Sequence, residues 1–562
     1  MNRLLIIFMT ILFALSMTAC GKKSENPHRY KVAEEEQADG NDGEEKVAKD
    51  AEESGDKDEA GSPDDSDVSD DGSEDGEAEG VLADVSVSRH TEFVNDSEYG
   101  TLYSNEYDEL ILSDSTAMAY QGLVTAVADY NDATGGEKNR NGGMSIDELV
   151  EQGKVQKKDN PDFSGYNDDG HATVLRLDDE VLSISRSYNS FYGGAHGVYG
   201  IEGYTYDVQS GVRLAITDVV ADMDALQNAA LEVLSRDYST LLENESQTEQ
   251  NLKDSFKEPE KLVWAMGPAE FVLYYNPYAL ATYAAGMQIL NIRYDDHPEI
   301  FKEGYGAMTG DYVIQGSEAR IDLDGDGALE YVTTENEYSD DGYEILAVKI
   351  NTGIESKKVE LYAYSIEQYI IKKGEHYYMY LVESSDNDYE TIYMIDLTGG
   401  KVKELGKQDG GVASWDTTVS WKYEDGYFIE PQPQFYNPEL LYINNNQKLI
   451  SSFGGVKLCR VGDDGKIEDV DPTYRCVTEL ELTSKKDLTL KTVDASGNET
   501  GEMTVPKGTV YRPVTSDNKT YADCEIGDGT IVRVPVDSSD WPHKVDGDDL
   551  ENVFDGVMFA GT

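Results

Sequence analysis

A long acidic segment near the N-terminus limits where this chain can fold. Gly21–Asp84 is rich in Gly, Ser, Asp and Glu and contains almost no large apolar residue. Such a segment cannot bury enough apolar surface to offset the entropy of ordering the chain. We therefore predict a disordered acidic linker over residues 21–84, extended by the repulsion of its like charges, and folded domains only from residue 85 onward.

The first twenty residues have the features of an export signal. Arg3 precedes the apolar run Leu4–Met17, which is too short to span about 30 Å of hydrocarbon. The sequence MTAC at Met17–Cys20 resembles the lipobox of bacterial lipoproteins. This resemblance implies a signal peptide over residues 1–20, a diacylated Cys20 and a chain anchored outside the cytoplasm. The alternative is an ordinary cleaved signal beside a chance cysteine.

The charge of the chain restricts its partners. The net charge is −65, which opposes binding to nucleic acid and to anionic lipid headgroups. Residues 34–79 hold 22 acidic residues and three lysines, so the remaining chain is also strongly acidic. We therefore expect no nucleic-acid partner, a membrane contact made through the lipid alone, and a preference for cations or basic partners.

Three cysteines follow the signal. Cys459, Cys476 and Cys524 allow one disulfide or none, and their number does not decide between these possibilities. The turn at Gly462–Gly465 makes Cys459 with Cys476 the first candidate pair. The sequence has no cluster of cysteines and histidines, so we expect no structural zinc site.

Residues 85–308 have the pattern of an α+β domain. A strand is predicted at Tyr103–Leu112, and a helical run follows it. Two paired strands are predicted within residues 172–188, and Asp222 or Asp224 is expected to cap a helix with one apolar face.

Two blocks in this domain resemble a bacterial extracytoplasmic family of unknown function. They are Ser185–Val220, with Gly-Gly-Ala-His-Gly, and Glu270–Tyr294, with Asn-Pro-Tyr and Tyr-Ala-Ala-Gly. That family forms the outer half of a lysozyme-responsive anti-sigma factor and the N-terminal part of a peptidoglycan deacetylase. The resemblance implies an α+β fold and an envelope of the Gram-positive type. Nothing in the chain resembles the deacetylase's catalytic domain, and a signal at residue 1 leaves no expected cytoplasmic segment to hold a sigma factor.

The same blocks contain the candidate ligand-binding residues. His196 is either a ligand or general base in a glycine-rich turn, or a residue that satisfies local hydrogen bonds there. Tyr192, Tyr275 and Tyr278 offer flat faces to sugar rings or to basic side chains, with packing inside strands as the alternative. The histidines form no HExxH pattern.

A possible metal loop begins the next region. The segment Ile321–Val332 reads IDLDGDGALEYV, with acidic residues at alternate positions and a glycine for the sharp turn. This spacing brings hard oxygen ligands around one point, which favours binding of calcium. The predicted ligands are the side chains of Asp322, Asp324, Asp326 and Glu330 and the carbonyl of Ala328. Thr333 stands where an EF-hand has glutamate, so the loop is similar to the hairpin loops of FG-GAP and integrin-type repeats. The alternative is an acidic turn that binds no ion.

The rest of the chain predicts mostly antiparallel β structure. Residues 309–470 show alternating strands every ten to fifteen residues, which favours a β-sandwich or a partial propeller. Residues 471–562 predict a smaller β domain, for which an SH3-like barrel is one candidate, with wall binding or simple packing as its role.

No nucleophile elbow, phosphate-binding loop or catalytic carboxylate pair is recognisable along the chain. A non-catalytic binding protein therefore ranks above an enzyme. We predict a lipid-anchored cell-surface protein that recognises peptidoglycan or a lysozyme-like protein. The alternatives are a hydrolase or deacetylase acting on wall glycan, and a structural or interaction partner of a membrane sensor.

Overall fold

The computed structural model describes residues 82–140, 142–340, 342–386, 389–415 and 427–559. The predicted signal with Cys20 and all but the last three residues of the predicted linker lie outside these ranges. None of the helices in the described ranges has both the length and the apolar character needed to cross a membrane.

A six-stranded sheet, here called the first sheet, organises the N-terminal region. In spatial order its strands are Tyr427–Gln432, Val85–Asp96, Gly100–Leu112, Tyr166–Leu177, Val181–Phe191 and Val198–Asp207. Neighbours are antiparallel except for the parallel pair 100–112 and 166–177, which needs a long crossover. Three helices lie in that crossover: Asp114–Ala119, Gln121–Thr134 and Ile146–Asp159. Helix 121–134 buries Leu123 and Tyr130 in a core shared with the sheet.

The strand Tyr427–Gln432 comes from far along the chain to complete the first sheet. It pairs with strand 85–96 and places Glu430 opposite Arg89. Farther along the same segment, the Tyr436 hydroxyl accepts a hydrogen bond from Val85 N at 2.8 Å. Tyr442 donates to the Asp84 carboxylate at 2.6 Å, and burial raises the pKa of Asp84 to about 6. A segment of the predicted region 309–470 therefore belongs to the first sheet, whose other strands lie in the predicted region 85–308.

A helical layer and a small sheet pack together beside the first sheet. The antiparallel strands are Val263–Met266, Glu270–Tyr275 and Gln288–Arg293. The helices are Ile216–Val219, Met223–Asp237, Ser239–Asn244 and Thr248–Ser255. Asp222 caps helix 223–237 by accepting from Ala225 N at 2.9 Å. That helix buries its apolar face against Phe271 and Leu290.

Two antiparallel sheets follow and share one hydrophobic core. The four-stranded sheet contains Glu318–Ile321, Glu330–Tyr338, Ile345–Asn351 and Ser356–Ala363. The five-stranded sheet contains, in spatial order, Lys403–Asp409, Glu390–Asp396, His376–Ser384, Ser365–Lys373 and Tyr312–Gln315. Val348 of the four-stranded sheet and Leu381 of the five-stranded sheet lie in the same buried cluster, so these two sheets pack face to face.

The C-terminal region is one large sheet with short additions. Its main path runs through Gly411–Val412, Leu441–Gln447, Phe453–Val461, Tyr474–Cys476, Val510–Ser516, Tyr521–Ile526, Thr530–Pro535, Leu488–Val493 and Glu499–Val505. The additions are strands Ile467–Asp469, Leu482–Ser484 and Phe554–Asp555, the ribbon Lys544–Val545 with Asp548–Asp549, and helix Leu550–Val553.

The prediction of an α+β region followed by antiparallel β structure is confirmed. The suggested SH3-like barrel is not found, because every sheet of the described residues is an open path of strands. Short 3-10 helices occur at Gly136–Asn139, Pro259–Lys261, Tyr283–Ala285, Pro298–Ile300 and Thr398–Gly400.

Candidate functional site

The glycine-rich segment forms the turn between strands 181–191 and 198–207. Gly193 and Gly194 have φ values of 92° and 95°, a left-handed conformation that glycine adopts without strain. His196 is exposed in this turn, and its Nδ1 lies 2.8 Å from Gly197 O. Because a carbonyl oxygen only accepts, Nδ1 is the protonated nitrogen of that contact.

A second loop, residues 276–287, packs against strand 198–207, which leaves the glycine-rich turn. Asn276 accepts from Ile201 N at 2.8 Å and donates to Ile201 O at 3.0 Å, so its amide replaces a neighbouring strand at this edge. A Cβ at Gly200 would lie 2.7 Å from the Asn276 side chain, which explains the absence of a side chain there. The second loop is therefore fixed next to the glycine-rich turn.

The two loops bring four aromatic rings together. The His196 ring stacks on Tyr283 with centroids 3.9 Å apart and planes at 24°. Tyr278 and Tyr199 contact the same Tyr283 ring, with centroids at 5.5 Å and 5.6 Å. We call this group, His196, Tyr199, Tyr278 and Tyr283, the aromatic platform. Two residues predicted to bind ligand, His196 and Tyr278, thus meet on one surface.

Tyr278 is the most unusual member of the aromatic platform. It is 66% exposed, and its φ of 75° is a rare conformation for a bulky side chain. Such strain persists only where surrounding contacts hold it, and it is concentrated at binding and active sites.

Hydrogen bonding and burial also shape the platform. The Tyr283 hydroxyl donates to Gly197 O at 3.1 Å, so it fixes the turn that carries His196. Partial burial, with Tyr199 and Tyr278 alongside, raises the pKa of the Tyr283 hydroxyl. Tyr283 therefore contributes a neutral phenol to the platform.

The aspartates near His196 in sequence are engaged elsewhere. Asp207 accepts from Ser210 N, Asp218 from Ala215 N, and Asp222 from Ala225 N, at 2.6 to 2.9 Å. Each carboxylate stabilises a local turn or helix start. The arrangement is therefore suited to stacking against a ligand, and His196 has none of these aspartates as a proton-relay partner.

The other two predicted tyrosines do not join the platform. Tyr275 is 5% exposed in the core, its hydroxyl lies 3.1 Å from Ser255 Oγ, and burial raises its pKa to about 12. Tyr192 donates to the buried carboxylate of Asp168 and accepts from Gly142 N at 2.9 Å. Burial, reinforced by Asp168, raises the Tyr192 pKa. Both side chains therefore act in packing and internal hydrogen bonding.

The predicted metal loop joins two antiparallel strands, 318–321 and 330–338, as a hairpin. One oxygen each from Asp322, Asp324 and Glu330 lies within 4.8 Å of the others. Gly325 N and Gly327 N donate to Asp322 at 2.7 Å and 2.9 Å, which orders the loop around that carboxylate. The convergence of three hard oxygen donors fits calcium.

The fourth predicted carboxylate, Asp326, is placed differently. Asp326 is not in the three-carboxylate group, and its Oδ1 accepts from Ala328 N at 2.8 Å. Glu330 Oε2 accepts from Leu323 N at 2.8 Å, which ties the end of the loop to its beginning.

The suggested disulfide is not formed. Cys459, Cys476 and Cys524 are free thiols. Strand register places Cys476 opposite Gly455, four residues from Cys459. At about 3.4 Å per residue this separates the two cysteines by about 14 Å along the strand, beyond the roughly 7 Å that a disulfide allows between Cα atoms.

Tyr283 entered the sequence analysis only as part of the Tyr-Ala-Ala-Gly block, and Tyr199 is the platform residue that the sequence reasoning missed entirely. It lies two residues after Gly197, in the strand that leaves the turn. Its signal was the sequence GVYG, in which a tyrosine is carried next to the glycine-rich turn.

Residues 217–295 match the model of a family described as a protein of unknown function, DUF3298. They form a DUF3298 domain that includes Tyr278 and Tyr283, while His196 and Tyr199 precede it. A solved DUF3298 family member from Bacteroides fragilis is 16% identical, with 39% of this chain and 94% of that chain covered and a TM-score of 0.29. A second, from Pseudomonas aeruginosa, is 20% identical, with coverages of 41% and 99% and a TM-score of 0.26. Comparison with curated proteins gave no match.

Proposed function

We propose that this protein is a lipid-anchored cell-surface protein that binds a ligand of the bacterial envelope, peptidoglycan or a lysozyme-like protein, without altering it chemically. The observation that carries the proposal is the aromatic platform, in which an exposed His196 stacks on Tyr283 beside a strained, exposed Tyr278. Aromatic faces of this kind bind sugar rings and cationic side chains.

The anchoring part of the proposal rests on the sequence alone. The apolar run and MTAC at Met17–Cys20 favour lipid attachment at Cys20, and that residue lies outside the described ranges. The acidic composition of residues 21–84 favours a flexible spacer between the membrane and the folded body. The resemblance of Ser185–Val220 and Glu270–Tyr294 to the bacterial extracytoplasmic family favours an envelope of the Gram-positive type.

Two observations favour binding over catalysis. Asp207, Asp218 and Asp222, which follow His196 in the sequence, are each engaged in a local turn or cap. The His196 ring is held by Gly197 O and by stacking on Tyr283, an arrangement that orients a face for contact. A general base needs a partner that orients it toward a proton, and the platform's neutral phenols do not supply a carboxylate for this task.

We expect Tyr278→Ala, made in the soluble chain that begins at Gly21, to weaken binding to purified peptidoglycan or to lysozyme by about tenfold, the loss of roughly 1.4 kcal/mol of stacking. Sedimentation with insoluble peptidoglycan and titration with lysozyme provide the two measurements. His196→Ala should act in the same direction, because its ring is exposed on the same surface.

Tyr343→Ala is the matched control, since Tyr343 is 67% exposed, like Tyr278, but lies in the turn between strands 330–338 and 345–351, outside both loops of the platform. Equal losses in Tyr278→Ala and Tyr343→Ala would contradict a specific platform. Turnover of muropeptides that disappears in His196→Ala would replace the binding function with the hydrolase or deacetylase alternative. Binding to neither probe would leave the role of partner to a membrane sensor as the better hypothesis.

Calcium is the proposed cofactor of the hairpin loop around Asp322. At a calcium concentration of 100 times Kd, we expect the free energy of unfolding to rise by about 2.7 kcal/mol. Asp324→Ala should abolish this gain, because it removes one of the three converging carboxylates. Thermal melts with calcium and with chelator measure the effect. Asp340→Ala, an exposed acid in the next hairpin, should respond to calcium as the parent does, and identical melts for Asp324→Ala and the parent would refute the site.

A further inference from the structure

A hairpin in the C-terminal region presents features that neither the platform nor the metal loop explains. Residues 537–544 fold back on themselves through two backbone bonds, Asp537 N to Lys544 O at 2.8 Å and Lys544 N to Asp537 O at 3.0 Å. The base is attached to a neighbouring turn, where Val536 N donates to Thr520 O at 2.8 Å. Ser538 Oγ donates to Lys519 O in the same turn at 2.6 Å. The hairpin is therefore fixed to the sheet.

Trp541 stands in this hairpin and is 61% exposed. Its ring meets Phe559 edge-on at 4.8 Å and His543 edge-on at 5.2 Å. His543 is in turn held by its Nδ1, which donates to Leu449 O at 2.8 Å. Trp541 is therefore oriented by aromatic contacts while most of its surface faces solvent, which leaves it accessible for stacking on a ligand.

The base of the same hairpin, Asp537 and Lys544, lines a cleft together with residues just before and after it. Its volume is about 330 Å³, and its lining residues are Pro535, Val536, Asp537, Lys544, Asp546 and Gly547. This volume is at the lower end of the range for small-ligand sites, which combine apolar walls with a few polar groups. Asp537, Lys544 and Asp546 provide those polar groups.

Charged groups of both signs surround the cleft. Lys486 Nζ bonds Asp546 at 3.2 Å and Asp548 at 2.7 Å. Asp537 accepts from Ser539 Oγ at 2.6 Å, and this bond lowers the Asp537 pKa. With Asp540 the acids outnumber the two lysines, which disfavours an anionic ligand. The pairing of Asp546 and Asp548 with Lys486, and the position of Lys544 near Asp537, weaken the attraction for a cation, so a neutral polar ligand fits best.

We propose that the hairpin 537–544 is a second binding site, which takes a neutral oligosaccharide. Trp541 stacks on the apolar face of a sugar ring, and the carboxylate of Asp537 and the ammonium of Lys544 bond its hydroxyl or amide groups. The site shares no residue with the aromatic platform, so it does not depend on the function proposed for the platform. If both sites bind the same glycan, their linkage in one body raises the overall affinity without any new contact.

The test uses chitohexaose, a neutral oligomer of N-acetylglucosamine, and the soluble chain that begins at Gly21. We expect saccharide to shift the tryptophan fluorescence of the unaltered chain, because Trp541 is exposed. Trp541→Ala should lose this shift and weaken binding measured by calorimetry by about tenfold, and Trp541→Tyr should restore most of the affinity. Tyr343→Ala, with a similarly exposed ring, is the control and should bind as the parent does.

Three outcomes would overturn the proposal: no binding by the unaltered chain, equal affinity in Trp541→Ala, or a loss caused by Tyr278→Ala while Trp541→Ala binds normally. The last outcome would place the saccharide on the aromatic platform. Loss in Trp541→Ala alone supports the hairpin site even if the platform binds nothing.

Discussion

Gly203→Ala is expected to destabilise the first sheet by about 3 kcal/mol or more, because overpacking at a rigid contact displaces backbone. A Cβ at this position would lie 1.7 Å from Trp264 O and 2.7 Å from its carbonyl carbon. Strand 198–207 therefore approaches strand 263–266 without an intervening side chain, and neither backbone is a flexible side-chain end that can turn aside. The two strands must separate, which exposes part of the core beneath them.

Chemical denaturation followed by far-ultraviolet circular dichroism measures this loss. Gly143→Ala is the control, because a Cβ there meets nothing within 4 Å and its backbone is not left-handed. It should change the free energy of unfolding by less than about 0.5 kcal/mol. Similar midpoints for the two variants would contradict the close packing of strands 198–207 and 263–266.

Asp108→Ala is expected to cost about 3 to 5 kcal/mol of folding free energy, since it removes one partner of a buried ion pair. The Asp108 side chain has no solvent exposure, and it accepts from Arg89 Nε at 3.0 Å and from Arg89 Nη2 at 3.2 Å. It also accepts from Ala172 N at 2.8 Å, so one carboxylate joins three strands of the first sheet. Its loss leaves a guanidinium and a backbone amide without their acceptor.

Urea unfolding measures the cost, with Asp132→Ala as the control. Asp132 lies 3.9 Å from Lys138 in a pair that is exposed on both sides, so its removal should cost less than about 1 kcal/mol. The double variant Arg89→Met with Asp108→Leu should recover much of the loss, because a packed apolar pair replaces a charge left alone. A small effect of Asp108→Ala alone would show that water replaces the carboxylate.

Local sequence patterns predicted the elements whose stability depends on neighbours in sequence. The predicted apolar face of the helix after Asp222 is buried in full. It consists of Leu226, Ala229, Ala230, Val233 and Leu234. Asp222 was one of two candidate caps and is the one that accepts the capping bond. The strand character on both sides of the metal loop is likewise confirmed, because alternation over a few residues specifies a hairpin.

Helix 146–159 was missed because its composition is mostly polar. Only Leu149 and Gly153 of this helix are buried, so its apolar periodicity is weak. A readable signal was present in Ser145 and Glu148, which form a capping box.

Long-range pairings could not be read from the sequence. The sequence of strand 427–432 does not distinguish it from the other strands of the β region, yet it pairs with the strand that begins at Val85. The stacking of His196 on Tyr283 joins residues 87 positions apart, and the docking of Asn276 on Ile201 and the bond from Tyr283 to Gly197 O bring them together. Tyr275 and Tyr278 are three residues apart, and the end of strand 270–275 between them places one in the core and the other on the surface.

The joint at Asp84 has a mechanical consequence. Strand 85–96 lies between two antiparallel neighbours, and Tyr442 holds the carboxylate of the residue just before it. A pull on the preceding chain would act along this strand and load both hydrogen-bond ladders in shear, many bonds at a time, instead of peeling an edge strand one bond at a time. If the chain is anchored through its N-terminus as proposed, the folded body would resist tension at its point of attachment.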